Sequence, residues 1–213
     1  MDRSAALDAT VNHPAALAQR EMQQKLGRCM LRLQQYERAL KALVASGSIE
    51  GQPERLLEVQ SCQAAAQRTN TLDQLIRIFT DEYLSDGTPK TKANAEKWEG
   101  DKPAQEPLLR MRFTIAMSPE LYRETVATLT ELKEMRNNLV HHLIEQFDMS
   151  TEADCRAGTN YLRECYDKID AALTQLKQWT DGHARSRAEV LAMLHSKELE
   201  DAFVHGIVPG KKR

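Results

Sequence analysis

The chain has 213 residues, a formal net charge of −2, 41% hydrophobic and 28% charged residues, and 5% aromatics. That length holds one substantial core and leaves little room for two. The charge excludes nucleic-acid binding by bulk positive potential alone, so any such site has to be a local patch.

Ala, Leu, Gln, Glu, Lys and Arg dominate the composition and favour helix over strand. From Pro14 to about Ala45, Leu26, Met30, Leu33, Leu40 and Val44 recur at helical spacing, and Ser46-Gly47-Ser48 ends the run. A second helix is predicted over 53–84, with Pro53 in its first turn and Leu56, Val59, Cys62, Ala66, Leu72, Leu75, Ile76 and Phe79 on one side. Asp86-Gly87-Thr88-Pro89 is turn chemistry, and the chain then stays polar and lysine-bearing to Pro107, which reads as a long surface loop.

Leu109 to Met117 alternates strictly. Leu109, Met111, Phe113, Ile115 and Met117 share one face, with Arg110, Arg112 and Thr114 on the other. A lone strand leaves backbone groups unpaired, so it should pair with the preceding loop or with a second copy of the chain. Residues 86–117 thus form a loop and strand insertion. Ser118-Pro119 opens a third helix running to about Phe147. Ser150-Thr151-Glu152-Ala153-Asp154 caps a fourth that ends near Trp179. Asp181-Gly182 separates a fifth helix over about 186–204, and 205–213 reads as a flexible tail. The predicted fold is all-α: an antiparallel up-down four-helix bundle with a fifth C-terminal helix, one domain over 1–213.

The four cysteines, Cys29, Cys62, Cys155 and Cys165, make no CxxC pair, and three fall in predicted helix interiors as small buried thiols. No apolar run approaches about 18 residues, so no membrane span is expected. The first residues lack the apolar core of a signal peptide, and a cytoplasmic location follows.

The third helix carries the oddity. With Arg136 at zero on a helical wheel of about 100° per residue, Leu129, Leu132, Leu139, Val140, Leu143 and Phe147 lie within about 60° of it. A guanidinium stays charged, and burying it unpartnered is expensive. Asn137 and His141 fall on one flank, at roughly 100° and 140°. Either these residues form a structural network, with Arg136 paired to an acidic side chain across the core, or they form a site. No carboxylate triad, HExxH or Gly-rich phosphate loop is present. His141 and His142 are adjacent and point about 100° apart, so one metal cannot take both from a regular helix. Arginine beside histidine suits a phosphodiester, since histidine moves a proton near neutral pH and arginine holds charge developing on phosphoryl oxygens.

Arg136-Asn137-Asn138-Leu139-Val140-His141 resembles the HEPN signature, in which four to six residues separate an arginine from a histidine and a polar residue follows the arginine. The resemblance implies an antiparallel helical bundle, commonly dimeric, in which the signature helices of two protomers line one cleft. It implies metal-independent cleavage of RNA through the 2′-hydroxyl, with no cofactor, often in toxin–antitoxin or antiviral defence. Arg136 would then stabilise phosphate, His141 transfer protons and Asn137 orient the site; His142 also satisfies the spacing. The tyrosine that some toxin members carry two residues after the histidine is Leu143 here. The implied partners are RNA, a second copy of the chain and an antitoxin or sensor protein. Arg110 and Arg112, the loop lysines Lys90, Lys92, Lys97 and Lys102, and the tail cations Lys211, Lys212 and Arg213 are the candidate RNA contacts. The alternative is a catalytically inactive HEPN-like adaptor, with Arg136 in a structural ion pair.

Overall fold

In a computed structural model the described residues are 14–51, 61–62, 65–88, 109–194 and 196. The loop lysines, Trp98, the tail and the predicted helical positions 53–60, 63–64, 195 and 197–204 lie outside them. The structure is mostly helical.

Helix α1 spans Pro14–Ser46. It buries Met22, Cys29, Leu33, Tyr36, Leu40, Leu43 and Val44, a stripe at spacings of three, four and seven. The longest helix, which we call α5, spans Glu152–Leu194. Thr151 caps it, accepting from the Asp154 amide at 3.1 Å. Its stripe, from Cys155 through Leu162, Cys165, Ile169 and Leu173 to Leu176, packs on that of α1. The two helices come close at Gly158, where a Cβ would stand 2.5 Å from Met22 Cε.

Contacts along this pair advance together. Met22 meets Gly158, the Cys29 thiol reaches the Leu162 carbonyl at 3.2 Å, Arg32 pairs with Asp170, and Arg187 donates to the Ser46 carbonyl at 3.3 Å. Helices α1 and α5 therefore run parallel.

The second helix is not continuous as predicted. Residues 61–62 and 65–66 are helical and Gln67–Thr69 is a 3-10 turn, but Asn70 is extended. Thr71 then starts α2, Leu72–Ile78, with a full capping box to Gln74, and a π-helical turn at Phe79–Tyr83 finishes it. The box satisfies amide donors that an unbroken helix would have paired with earlier carbonyls, and so fixes a new start here.

The strand also departs from expectation. Leu84–Ser85 (β2) pairs parallel with Ile115–Ala116 (β4), and Ser48–Gly51 (β1) pairs antiparallel with Leu109–Arg112 (β3). The register sets Ser48 opposite Arg112 and Gly51 opposite Leu109. Among the described residues, both partners are thus the segments that follow α1 and α2. The predicted alternation holds: Met111, Phe113, Ile115 and Met117 are half-buried, and Arg112, Thr114 and Ala116 exposed.

Helix α3, Pro119–Asn137, begins as predicted, with Ser118 accepting from the Leu121 amide at 3.3 Å. A π-helical turn at Asn138–His142 and a short α4, Leu143–Gln146, extend it. α3 lies antiparallel to α2: the Met117 amide bonds the Ser85 carbonyl at one end, and Lys133 pairs with Asp73 at the other. It is antiparallel to α5 as well: Leu121 lies near Trp179, Glu131 pairs with Lys168, and Asn138 lies beside Tyr161. The described helices therefore do not alternate up and down in chain order; α1, α2 and α5 run one way and α3 the other.

The predicted boundary at Asp181-Gly182 is absent, because α5 passes straight through it. Beyond that point His183 packs edge-on against Phe113, ring centroids 5.0 Å apart, and Arg187 holds Ser46. These contacts outweigh the cost of a helical glycine, about 1 kcal/mol relative to alanine. Among the described residues, no helix is long and apolar enough to cross a membrane. Cys29, Cys155 and Cys165 are buried free thiols, and Cys62 is exposed.

Candidate active site

On α3 the buried positions are Thr125, Leu129, Leu132 and Met135, continued by Leu139 and Leu143. Arg136 is not at the centre of this stripe. Met135 occupies the core position and Arg136 is half-buried at its margin. Burying the thioether needs no compensating partner, whereas the guanidinium keeps its solvation by turning outwards. Its hydrogen bond is from Nη1 to Asn137 Oδ1, at 3.2 Å. The ion pair across the core, one of the two alternatives for Arg136, does not occur among the described residues. Val140, placed on the apolar face by the wheel, is 41% exposed.

The π turn explains part of the difference. Two adjacent asparagines, Asn137 and Asn138, interrupt the run of good helix formers. Asn138 is half-buried beside Tyr161 of α5, while Leu139 and Leu143 anchor the turn in the core at 4% and 3% exposure. A π turn closes i to i+5 bonds and advances less per residue than an α turn. His141 is therefore turned closer to Arg136 than the roughly 140° of a regular α-helix.

His141 and His142 are both exposed, their rings 6.3 Å apart and steeply inclined. His142 Nδ1 lies 3.0 Å from Glu145 Oε2, and His141 has no such partner among the described residues. A carboxylate at Nδ1 fixes which ring nitrogen carries the proton and leaves Nε2 free. Sequence reasoning missed Glu145 and Asn138. The signal for Glu145 was its place three residues after His142 on a helical face. Asn138 carried none, because its use depends on Tyr161.

The structure thus joins Arg136 to Asn137 and presents His141 and His142 on the same turn, without contact between Arg136 and His141. Two concave regions flank the turn. One, between the start of α1 and α4, is lined by Gln19, Ile144, Glu145 and Asp148. The other, of about 170 Å³, is lined by Glu131, Glu134, Asn138, Tyr161 and Glu164. Neither includes Arg136, Asn137 or His141. Burial pushes the Tyr161 phenol up to about 12, so it is a neutral hydrogen-bonding group there.

Arg112 is not part of this arrangement. It is exposed and lies 3.7 Å from Glu82, at the end of the molecule where α3 begins. The helix separates it from Arg136 by about 25 Å, at 1.5 Å per residue. Arg110 contributes its backbone to β3 opposite Glu50. No family model matches the chain, and no curated protein and no solved structure is similar to it.

Proposed function

We propose that the protein is a homodimeric, metal-independent endoribonuclease of HEPN type, acting in a toxin–antitoxin or antiviral defence setting. The observation that carries this reading is the exposed turn at the end of α3. There Arg136 is held by Asn137, with His141 and His142 beside it. Asn137 keeps the guanidinium oriented towards solvent, where it can take two oxygens of a phosphodiester in fork geometry. His141 removes the proton of the RNA 2′-hydroxyl, whose oxygen attacks the adjacent phosphorus. The 5′-oxygen of the next nucleotide leaves, taking a proton from solvent, and a 2′,3′-cyclic phosphate remains; His141 returns its proton to solvent. Arg136 stabilises the charge that builds on the phosphoryl oxygens.

A second copy completes the site. Arg136, Asn137 and His141 lie outside the flanking hollows, with Val140 at 41% and Ile144 at 77% exposure on the same stretch. Paired copies would cover these two apolar side chains and turn a convex surface into a cleft. Arg112, so far along α3, serves only an extended strand that reaches beyond the cleaved bond. The same exposed pair supports the adaptor alternative, in which another protein covers it and no chemistry follows.

The test is RNA incubated with the protein in EDTA. Cleavage leaving 2′,3′-cyclic ends is expected, abolished by Arg136→Ala and by His141→Ala while the dimer persists in sedimentation. His142→Ala should leave most of the activity. Wild-type cleavage that requires added magnesium would overturn the mechanism, and no cleavage of any RNA with an intact dimer would favour the adaptor.

A further inference from the structure

Helix α3 approaches α5 far less closely than α1 does. Thr125 and Thr128 of α3 and Ala171 and Ala172 of α5 line the gap between them, and these short side chains leave it unfilled. A cavity of about 420 Å³ results. That volume is in the range of sites for small organic ligands. Its walls are largely apolar, with Leu129 inside and Leu121 and Trp179 near the mouth. Leu121 is 50% exposed, an apolar surface with nothing over it among the described residues.

Two buried hydroxyls at this cavity lack good partners. Tyr36 lines it, is 1% exposed, and makes no hydrogen bond among the described residues. Among the described residues, the side-chain nitrogen and oxygen atoms that are both sealed and unpaired are Arg32 Nε and His183 Nε2, neither at the cavity. The Tyr36 hydroxyl is not one of them, so it opens onto space, and the space it lines is this cavity. Burial pushes its phenol up, which keeps it a neutral donor. Thr125 is 8% exposed, and its hydroxyl reaches only the Met117 sulfur at 3.7 Å, a weak acceptor. Buried hydroxyls normally find full partners, and a few polar groups converging in an apolar hollow are the usual make-up of a ligand site.

The rim settles the charge of the ligand. Glu131 is neutralised by Lys168 at 2.5 Å, while Glu124 has no ion pair among the described residues. The mouth is therefore net negative and disfavours anions.

We propose that the cavity between α3 and α5 binds a neutral or cationic small aromatic molecule bearing a polar group. The polar group would sit against the Tyr36 and Thr125 hydroxyls, and the ring between Leu121 and Trp179. This inference stands independently of the ribonuclease reading.

The test uses three probes of one shape, 2-naphthol, 2-naphthylmethylamine and 2-naphthoate, titrated into the full chain by calorimetry. The Trp179 indole resonance is followed in parallel. Saturable one-to-one binding of the first two is expected, with a shift of that resonance and binding of the naphthoate at least about tenfold weaker. Ala172→Leu fills the space and should remove binding. Tyr36→Phe should weaken naphthol about tenfold without lowering Tm, because the lost hydroxyl had no partner. Binding that does not saturate, equal binding of all three probes, or a Tyr36→Phe variant that binds like the wild type overturns the proposal. Tyr36→Phe carries the test alone should Ala172→Leu fail to fold.

Discussion

Arg136→Ala distinguishes an arginine at the surface margin from one locked in the core. The guanidinium is half-buried and bonded to the exposed Asn137 amide at 3.2 Å. Losing one such hydrogen bond costs about 0.5–1.5 kcal/mol, and alanine returns a little through its higher helix propensity. For a chain of 213 residues, 1 kcal/mol corresponds to roughly 2–4 °C in Tm. The expected loss is therefore below about 5 °C. A core arginine paired with a carboxylate behaves otherwise. Its removal strands a buried charge at about 3–5 kcal/mol, which amounts to roughly 6–20 °C. Thermal melts followed by circular dichroism, run beside the RNA cleavage assay, separate the two. Abolished cleavage with a nearly unchanged Tm fits a solvent-facing catalytic arginine. A fall of more than about 10 °C would refute the placement of Arg136 at the margin, and the proposed site with it.

Two further predictions concern α5. Gly182→Ala should stabilise the protein by up to about 1 kcal/mol, because the position is helical and a Cβ there would meet nothing within 4 Å; a lower Tm would mean that the helix breaks at Asp181-Gly182 after all. His183 should make stability depend on pH. Its pKa is lowered, first by burial and then by the Arg187 charge, with the Ser46 backbone opposing weakly. The fold thus holds the neutral ring, and the unfolded chain binds the proton more readily. Stability from this group is complete above the unfolded value of about 6.5 and is lost as pH falls from there towards the folded pKa. Chemical denaturation at pH 8 and pH 5 should show a larger loss for the wild type than for His183→Leu, and equal losses would remove His183 as the cause.

What the sequence disclosed and what it withheld divide along physical lines. Apolar periodicity marked α1, α3 and the first part of α5 within a few residues, because burial of one stripe is a local pattern with a global reward. Strict alternation marked the strand from Met111 to Met117 for the same reason. The break before α2 was also legible, since Thr71 and Gln74 stand in capping-box spacing, but the apolar series across it hid the signal. Asp181-Gly182 misled in the other direction. Its turn chemistry is real, yet Phe113 and Ser46, distant in sequence, hold the residues just beyond it in helix. Arg136 exposes the deepest limit. A wheel of constant pitch put it at the centre of the stripe, next to apolar residues that are indeed its neighbours. Burial, however, is decided side chain by side chain, and Met135 fills the core position more cheaply than a guanidinium. The π turn then changes the pitch within the signature itself, turning His141 towards Arg136 while Asn138 sits half-buried beside Tyr161. The apparent anomaly of a charge in a dry core thus disappears. A charge at the edge of that core takes its place, held by its neighbouring amide and free to meet a phosphate.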